Sequence, residues 1–201
     1  MVVGIILAAG LSVRMGNFKQ LLPLEGHTVV EHVVGQVEQC LKEIIVVLGH
    51  RAEEVADVLK NTPVRCIFNR DYAMGMTSSV QCAIASAPHA GGYLICLGDQ
   101  PGISGDIVDQ VVAAVQAEGK GIVIPTYKEK RGHPVYINRS YAEEILALPV
   151  DKGLNTVTRG HPEDTLELPI TSREILDDMD TPADYQRELE RQAAIRGKLN
   201  G

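Results

Sequence analysis

The chain has 201 residues, 45% of them hydrophobic, with 26 acidic against 19 basic side chains and a formal net charge of -7 at pH 7. That size and apolar content suit one domain with a substantial core, and the acidic balance argues against a nucleic-acid-binding face, which needs basic residues. The opening apolar run is too short for a bilayer span and lacks the flanks of an export signal, so no membrane is expected and the location read from the sequence is cytoplasmic.

In chain order, the first predicted strand is Val2–Leu7, part of an apolar run to Ala9 that stops at Gly10, as a strand buried in a parallel sheet would. The loop that follows, Gly10-Leu-Ser-Val-Arg-Met-Gly16 with Lys19 three residues on, combines glycines with two cations. Its backbone N–H groups could face an anion, with the Arg14 fork and the Lys19 point charge neutralising phosphate oxygens. The same residues also suit an ordinary strand–helix turn with surface cations. Gly10 and Gly16 are six apart and Asn17 follows, so neither G-x-G-x-x-G nor G-x-x-x-x-G-K-[ST] fits.

Glu43–Leu48 and Val64–Phe68 are the next predicted strands. Gly75-Met-Thr-Ser-Ser79 then opens an amphipathic helix through Val80, Ala83, Ile84 and Ala87. Such a start can contact an anion or a nucleotide, and its hydroxyls serve equally well as plain caps. Tyr93–Leu97 reads as an interior strand that delivers Asp99 at its carboxyl end, within Gly98-Asp-Gln-Pro101. A carboxylate there must be paired, capped or metal-bound. Magnesium, held by one or two carboxylates plus substrate phosphates, suits it; an Asx-turn ahead of Pro101 is the structural alternative.

Ile107, Val108, Val111, Val112 and Val115 form one apolar stripe on a helix of about three turns. Gly121–Ile124 and Val135–Ile137 are predicted strands, and the loop between them concentrates Lys128, Lys130, Arg131 and His133, which could receive an anionic second substrate or simply be solvated. Leu166–Ile170 is the last predicted strand. In Met179-Asp-Thr-Pro-Ala-Asp-Tyr185, Thr181 is an N-cap, Pro182 suits the first helical position and Asp184 completes a capping-box-like arrangement. Asp180 is then left without a structural role, while Asp177 and Asp178 are read as solvated.

Alternating strands and helices predict right-handed βαβ units, hence an α/β fold: a Rossmann-like three-layer α/β/α sandwich with a mostly parallel sheet, whose ligands bind beyond the carboxyl ends of the strands. One domain is expected over residues 1–190, with a tail over 191–201 that frays, in a polar segment beginning at Arg187. Cys40, Cys66, Cys82 and Cys96 show no C-x-x-C spacing, and Cys66 and Cys96 are expected as small buried hydrophobes.

The stretch Leu7-Ala-Ala-Gly-Leu-Ser-Val-Arg-Met-Gly16, with Lys19 and Leu21-Leu-Pro-Leu24, resembles the signature of the MobA-like NTP transferase family, on the side of the molybdenum cofactor cytidylyltransferases. The likeness extends to Gly98-Asp-Gln-Pro101 and Asp180-Thr-Pro-Ala-Asp-Tyr185, over roughly residues 3 to 187. It implies a sheet of the nucleotide-diphospho-sugar transferase type and an enzyme that moves a nucleoside monophosphate onto a phosphate acceptor, releasing pyrophosphate. Leu7, Ala8, Ala9, Gly10, Ser12, Arg14 and Lys19 would wrap the nucleotide, and Gly75, Met76 and Ser79 would contact its base and ribose. Arg14, Lys19 and Asp99 would be catalytic, with Mg²⁺ or Mn²⁺ on Asp99 and Asp180. Lys130, Arg131 and His133 would face the acceptor, His133 ordering its loop or touching substrate. Ala9 stands where guanylyltransferase relatives carry glycine, which leans toward CTP. The implied acceptor is a molybdopterin-type cofactor, with a molybdoenzyme or its chaperone as a further partner. A sugar or alditol phosphate acceptor, and a non-catalytic nucleotide- or cofactor-binding module, are the alternatives. Asp151-Lys-Gly153 resembles a Gly-Asp-x-Gly segment of relatives, but Val150 replaces the first glycine.

Overall fold

The computed structural model describes residues 1–199. Its elements are β1 (Val2–Ala8), a hairpin of β2 (Pro23–Leu24) and β3 (His27–Thr28), α1 (Val29–Glu38), β4 (Ile44–Leu48), α2 (Ala52–Leu59), β5 (Arg65–Phe68), α3 (Met76–Ser86), β6 (Gly92–Leu97), α4 (Gly105–Glu118), β7 (Ile122–Tyr127), β8 (Lys130–Arg131), β9 (Val135–Asn138), α5 (Ala142–Leu146), α6 (Asn155–Gly160), β10 (Thr165–Pro169) and α7 (Pro182–Leu199). Short 3-10 turns at Val13–Met15 and Lys19–Leu21 carry the loop after β1.

The main sheet runs in the order β10-β7-β9-β6-β1-β4-β5, with β8 added beside β7. β1 lies parallel between β4 and β6, β5 is parallel to β4, and β10 is parallel to β7. Only β9 and β8 run against their neighbours. The sheet is therefore mostly parallel, as the alternating pattern requires.

Successive side chains of a strand point to opposite faces. In β1, Val3 and Ile5 join Val80, Ala83 and Ile84 of α3, Ile145 of α5 and Val157 of α6 on one face. Ile6 and Ala8 join Val30, Val34 and Val37 of α1, Val55 of α2, and Ile107 and Val108 of α4 on the other. Two buried faces explain the unbroken apolar runs, and each buried Ile or Val contributes about 1.5–3 kcal/mol. A third cluster, Met15, Leu24, Val29 and Met179 with Tyr185 and Leu189, fastens α7 to the β2–β3 hairpin. Among the described residues no helix is long and apolar enough to cross a membrane.

The structure departs from the sequence expectations at several places. The hairpin and β8 are two-residue strands, too short to carry a period. β7 continues past Ile124 through Pro125, which is tolerated because β9 pairs only with Ile122 and Val123, so the missing N–H breaks no ladder bond on that side. α4 is 14 residues long rather than about three turns. Cys96 is buried, but Cys66, on the edge strand β5, is only half-buried.

Over residues 187–199, within the segment expected to fray, the backbone continues the helix α7. Arg191 pairs with Glu188 at 2.7 Å and Gln192 is buried beside His32, so these polar side chains fasten the helix rather than solvating it. Asn200 and Gly201, also assigned to the tail, lie outside the described residues.

Candidate active site

β1 and β6 are adjacent and parallel, so their carboxyl ends open on the same edge of the sheet. Gly98 makes their junction possible. Its N–H donates to the Leu7 carbonyl at 3.0 Å, and a Cβ at this position would come within 2.8 Å of that same oxygen. The close approach sets Asp99 beside the loop that follows β1. Asp180 reaches the same point from the start of α7, where the Thr181 and Asp184 side chains exchange cap hydrogen bonds with the backbone, Asp184 Oδ2 accepting from Thr181 N at 2.7 Å. A hydrogen bond from Met179 N to the Asp99 carbonyl, 3.0 Å, ties this segment to the end of β6.

Lys19 occupies the meeting point. Its ammonium touches Asp99 Oδ2 and lies 2.9 Å from Asp180 Oδ1. The Lys19, Asp99 and Asp180 side chains are 10%, 18% and 25% exposed. Burial alone would pull the Lys19 pKa down, but attraction to Asp99 and the hydrogen bonds to Asp99 and Asp180 outweigh it and leave the pKa raised. Arg14 pairs with the other Asp180 oxygen at 2.6 Å from a side chain that is 74% exposed. An ion pair that open is worth about 0–1 kcal/mol and is easily exchanged for another anion.

These groups line a cavity of about 430 Å³, together with Leu7, Ala9, Gly10, Ser12, Gly75, Met76 and Ser79. Eleven of the residues singled out in the sequence are thus brought together. Ser12 links the loop to the Lys19 turn, its Oγ accepting from Lys19 N at 3.2 Å and donating to Gln20 Oε1 at 3.1 Å. Ala8 does not line the cavity; alternation along β1 turns its side chain into the core below α1.

Lys130, Arg131 and His133, expected to face the acceptor, lie outside the lining of this cavity. Lys130 and Arg131 form β8, and Arg131 pairs with Glu167 of β10 at 2.7 Å, away from the cavity lining. His133 is nearer. It sits in a turn fixed by Gly132 N–H donating to the Pro125 carbonyl at 2.8 Å and His133 N–H donating to the Ile175 carbonyl at 3.0 Å. Burial pushes its imidazole pKa down to about 4, with the Asp99 charge opposing the shift, so it is neutral at neutral pH.

The sequence reading missed Gln20, Tyr72, Ala73, Leu97 and Asp178 as lining residues. Asp178 was expected to be merely solvated. Its side chain is open to solvent but accepts a hydrogen bond from Gln100 Nε2 at 2.7 Å, and lost hydration together with the charges of Asp99 and Asp180 raises its pKa. Asp151 lies outside the lining; its neighbour Lys152 accepts a hydrogen bond at its carbonyl from Thr77 Oγ1, 2.5 Å, which anchors that loop to α3.

The donor set fits a hard divalent cation. One ammonium nitrogen touches oxygens of both Asp99 and Asp180, so the two carboxylates already converge on a single cation-sized point. Among the described residues no group of three or more His, Cys, Asp or Glu side chains is placed to hold a metal. Two carboxylates completed by substrate phosphates is the manner in which magnesium is held.

A family model described as the MobA-like NTP transferase domain matches residues 4–165. Molybdenum cofactor cytidylyltransferase of Escherichia coli K12 is 30% identical over 193 residues, covering 95% of this chain and 97% of that protein. Nicotine blue oxidoreductase of Paenarthrobacter nicotinovorans is 32% identical over 145 residues, 68% of this chain and 71% of its own. Among solved structures, Rv0371C of Mycobacterium tuberculosis H37Rv in complex with manganese superposes with a TM-score of 0.79 at 27% identity, covering 94% of this chain and 98% of that one.

Proposed function

Because this chain belongs to the MobA-like NTP transferase domain family, we propose that it transfers CMP from CTP onto the terminal phosphate of a molybdopterin-type cofactor and releases pyrophosphate. Relatives carry the names of different reactions, so the choice of base and acceptor rests on likeness to the cytidylyltransferase, while the triphosphate site rests on the cavity's chemistry. One observation carries it. Charged groups from positions 14, 19, 99 and 180 meet in a single cavity whose remaining wall includes the apolar surfaces of Leu7, Ala9, Tyr72, Met76 and Leu97. Such a site offers cations to a triphosphate and an apolar wall to a base.

When the triphosphate enters, its oxygens compete with Asp180 for Arg14 and with both aspartates for Lys19. The guanidinium fork and the ammonium then orient the phosphate chain. Asp99 and Asp180, released from Lys19, would hold Mg²⁺ or Mn²⁺, which when bound supplies charge neutralisation at the phosphates; the manganese complex of a structural neighbour supports that choice of ion. An oxygen of the acceptor's phosphate forms a bond to the α-phosphorus as the bond from that phosphorus to the bridging oxygen of the β-phosphate breaks. The electron pair leaves on pyrophosphate. The attacking phosphate is already anionic at neutral pH, so no side chain must remove a proton, and neutral His133 orders the neighbouring turn. Catalysis is alignment plus electrostatic stabilisation.

Ala9, 5% exposed in the wall, supports cytosine as the base through the resemblance already described. The test is an assay of pyrophosphate release with each of the four nucleoside triphosphates, Mg²⁺ or Mn²⁺, and molybdopterin cofactor. Release with CTP alone is expected. Release only when a sugar or alditol phosphate replaces the cofactor would reassign the acceptor, and nucleotide binding without release under any condition would make the chain a binding module.

A further inference from the structure

Gln100, next to Asp99 in the turn after β6, is a polar side chain only 1% exposed. Both groups within reach of its Nε2 are accepting oxygens, Asp178 Oδ1 at 2.7 Å and the Ile175 carbonyl at 3.5 Å. The amide therefore cannot be turned around, because its own oxygen would then face two others. In the orientation that remains, Oε1 is buried and, among the described residues, meets no donor. An unpaired buried acceptor costs free energy that an apolar side chain of the same shape would avoid, so stability alone does not account for a glutamine here. What the amide achieves is a link. The turn carrying Asp99 and the segment carrying Asp180 are joined by the Met179 N–H donating to the Asp99 carbonyl at 3.0 Å. A single hydrogen bond leaves two segments able to rotate about it. The second bond, from Gln100 to Asp178, stops that rotation.

We propose that Gln100 is a positioning residue whose hydrogen bond to Asp178 fixes the angle at which Asp99 and Asp180 converge, and so sets their joint grip on a divalent cation. The inference rests on the cation-site reading in the proposed function. Gln100 is absent from the cavity wall and touches neither metal nor nucleotide; Asp178, which it braces, lines the cavity. Magnesium demands near-ideal ligand geometry, so a rotation that leaves both carboxylates in the cavity still weakens the site. Groups that orient metal ligands from behind typically cost about 10–100-fold in metal affinity when removed.

The test measures CTP dissociation constants by calorimetry in EDTA and in saturating Mg²⁺ or Mn²⁺. The ratio of the two constants reports how far the metal tightens nucleotide binding, without any need for turnover. Gln100→Met keeps an unbranched side chain of similar length and removes the donor. It is expected to lose about tenfold of the wild-type ratio, the equivalent of about 1.4 kcal/mol, while the constant in EDTA stays unchanged. Asp178→Asn and Asp178→Leu remove the same charge, and only asparagine can still accept from Gln100. Asp178→Leu should therefore show the smaller ratio. Gln100→Met should lower the ratio again when added to Asp178→Asn and change nothing when added to Asp178→Leu, where the link is already gone. A full wild-type ratio in Gln100→Met, or equal ratios in the two Asp178 variants, overturns the proposal. Weaker CTP binding both with and without metal, together with a lowered melting temperature, would show Gln100 to be merely structural and overturns it too. If Gln100→Met does not fold, the two Asp178 variants decide, since that side chain is open to solvent. A tightening by metal in wild type that Gln100→Met keeps refutes this inference alone; wild type whose CTP affinity ignores both metals refutes the cation site of the proposed function with it.

Discussion

Lys19→Met removes the cation that holds Asp99 and Asp180 together while keeping an unbranched side chain of similar length. Deleting one partner of a fully buried ion pair costs about 3–5 kcal/mol, and an exposed pair is worth about 0–1 kcal/mol. The three side chains here are 10%, 18% and 25% exposed, and Arg14 still pairs with Asp180. The loss should fall between those limits, at about 2 kcal/mol. For a domain of this length that lowers the melting temperature by about 4–8 °C. The chain has no tryptophan, so circular dichroism is the suitable probe. Adding Mg²⁺ or Mn²⁺ should recover most of the loss in the variant, where the two carboxylates lie open, and should stabilise wild type less. A site at one hundred times its dissociation constant would return about 2.7 kcal/mol. An unchanged melting temperature, or a variant that responds to metal no more than wild type does, would refute the pairing as the source of stability and the carboxylates as a cation site.

Three further outcomes are expected. Asp99→Asn removes at constant volume the charge proposed to face the metal, so pyrophosphate release should fall by about 100-fold or more, with a melting temperature lowered less than by Lys19→Met because Lys19 keeps Asp180; near-normal turnover would sink the ligand assignment. A Cβ on Gly132 would lie 2.3 Å from the Ile175 carbonyl oxygen, a backbone atom that cannot swing aside. Gly132→Ala should therefore lower stability by about 1–3 kcal/mol in urea unfolding, and an unaffected midpoint would mean that the turn relaxes freely. The His133 imidazole has its pKa depressed by burial to about 4 from 6.5. Between those values the unfolded chain binds the proton and the native protein does not, so this contribution is complete above pH 6.5 and is lost toward pH 4, at most about 3 kcal/mol. His133→Gln should flatten that limb of the stability profile, and an identical acid limb would show that other groups control it.

The sequence carried the parts of the site that end long apolar runs. The apolar runs that hold β1 and β6 each end at a glycine, Gly10 and Gly98, and what lies just beyond an interior strand must emerge at the sheet's edge, so the loop and Asp99 could be placed from the sequence. Asp180 was legible for a different reason: Thr181 and Asp184 account for the helix start, and the aspartate left over is the one that reaches Lys19. That the Ala8 side chain turns away from the cavity was also legible, since a two-residue period puts it on the opposite face from Leu7 and Ala9. Tyr72 and Gln20 were missed because they sit in or beside single 3-10 turns, which impose no pattern on residue type. The pairing of Arg131 with Glu167 was beyond reach as well. It depends on β8 and β10 flanking β7, a register that no local spacing encodes.

The position of Asp180 bears on how the protein is made. The matched family residues end at 165, and Asp180 arrives with the segment after them, beside a helix held by Tyr185 Oη donating to the Pro23 carbonyl at 2.5 Å and by the pairing of Arg196 with Glu25. A nascent chain emerging from the ribosome can close every strand of its sheet and still present Lys19 with a single carboxylate. The second carboxylate then arrives with a segment synthesised after the whole sheet, which clasps the hairpin downstream of the loop after β1. Proteolytic trimming within α7 would loosen that clasp from the opposite direction, removing Tyr185 and Arg196 from the hairpin they hold.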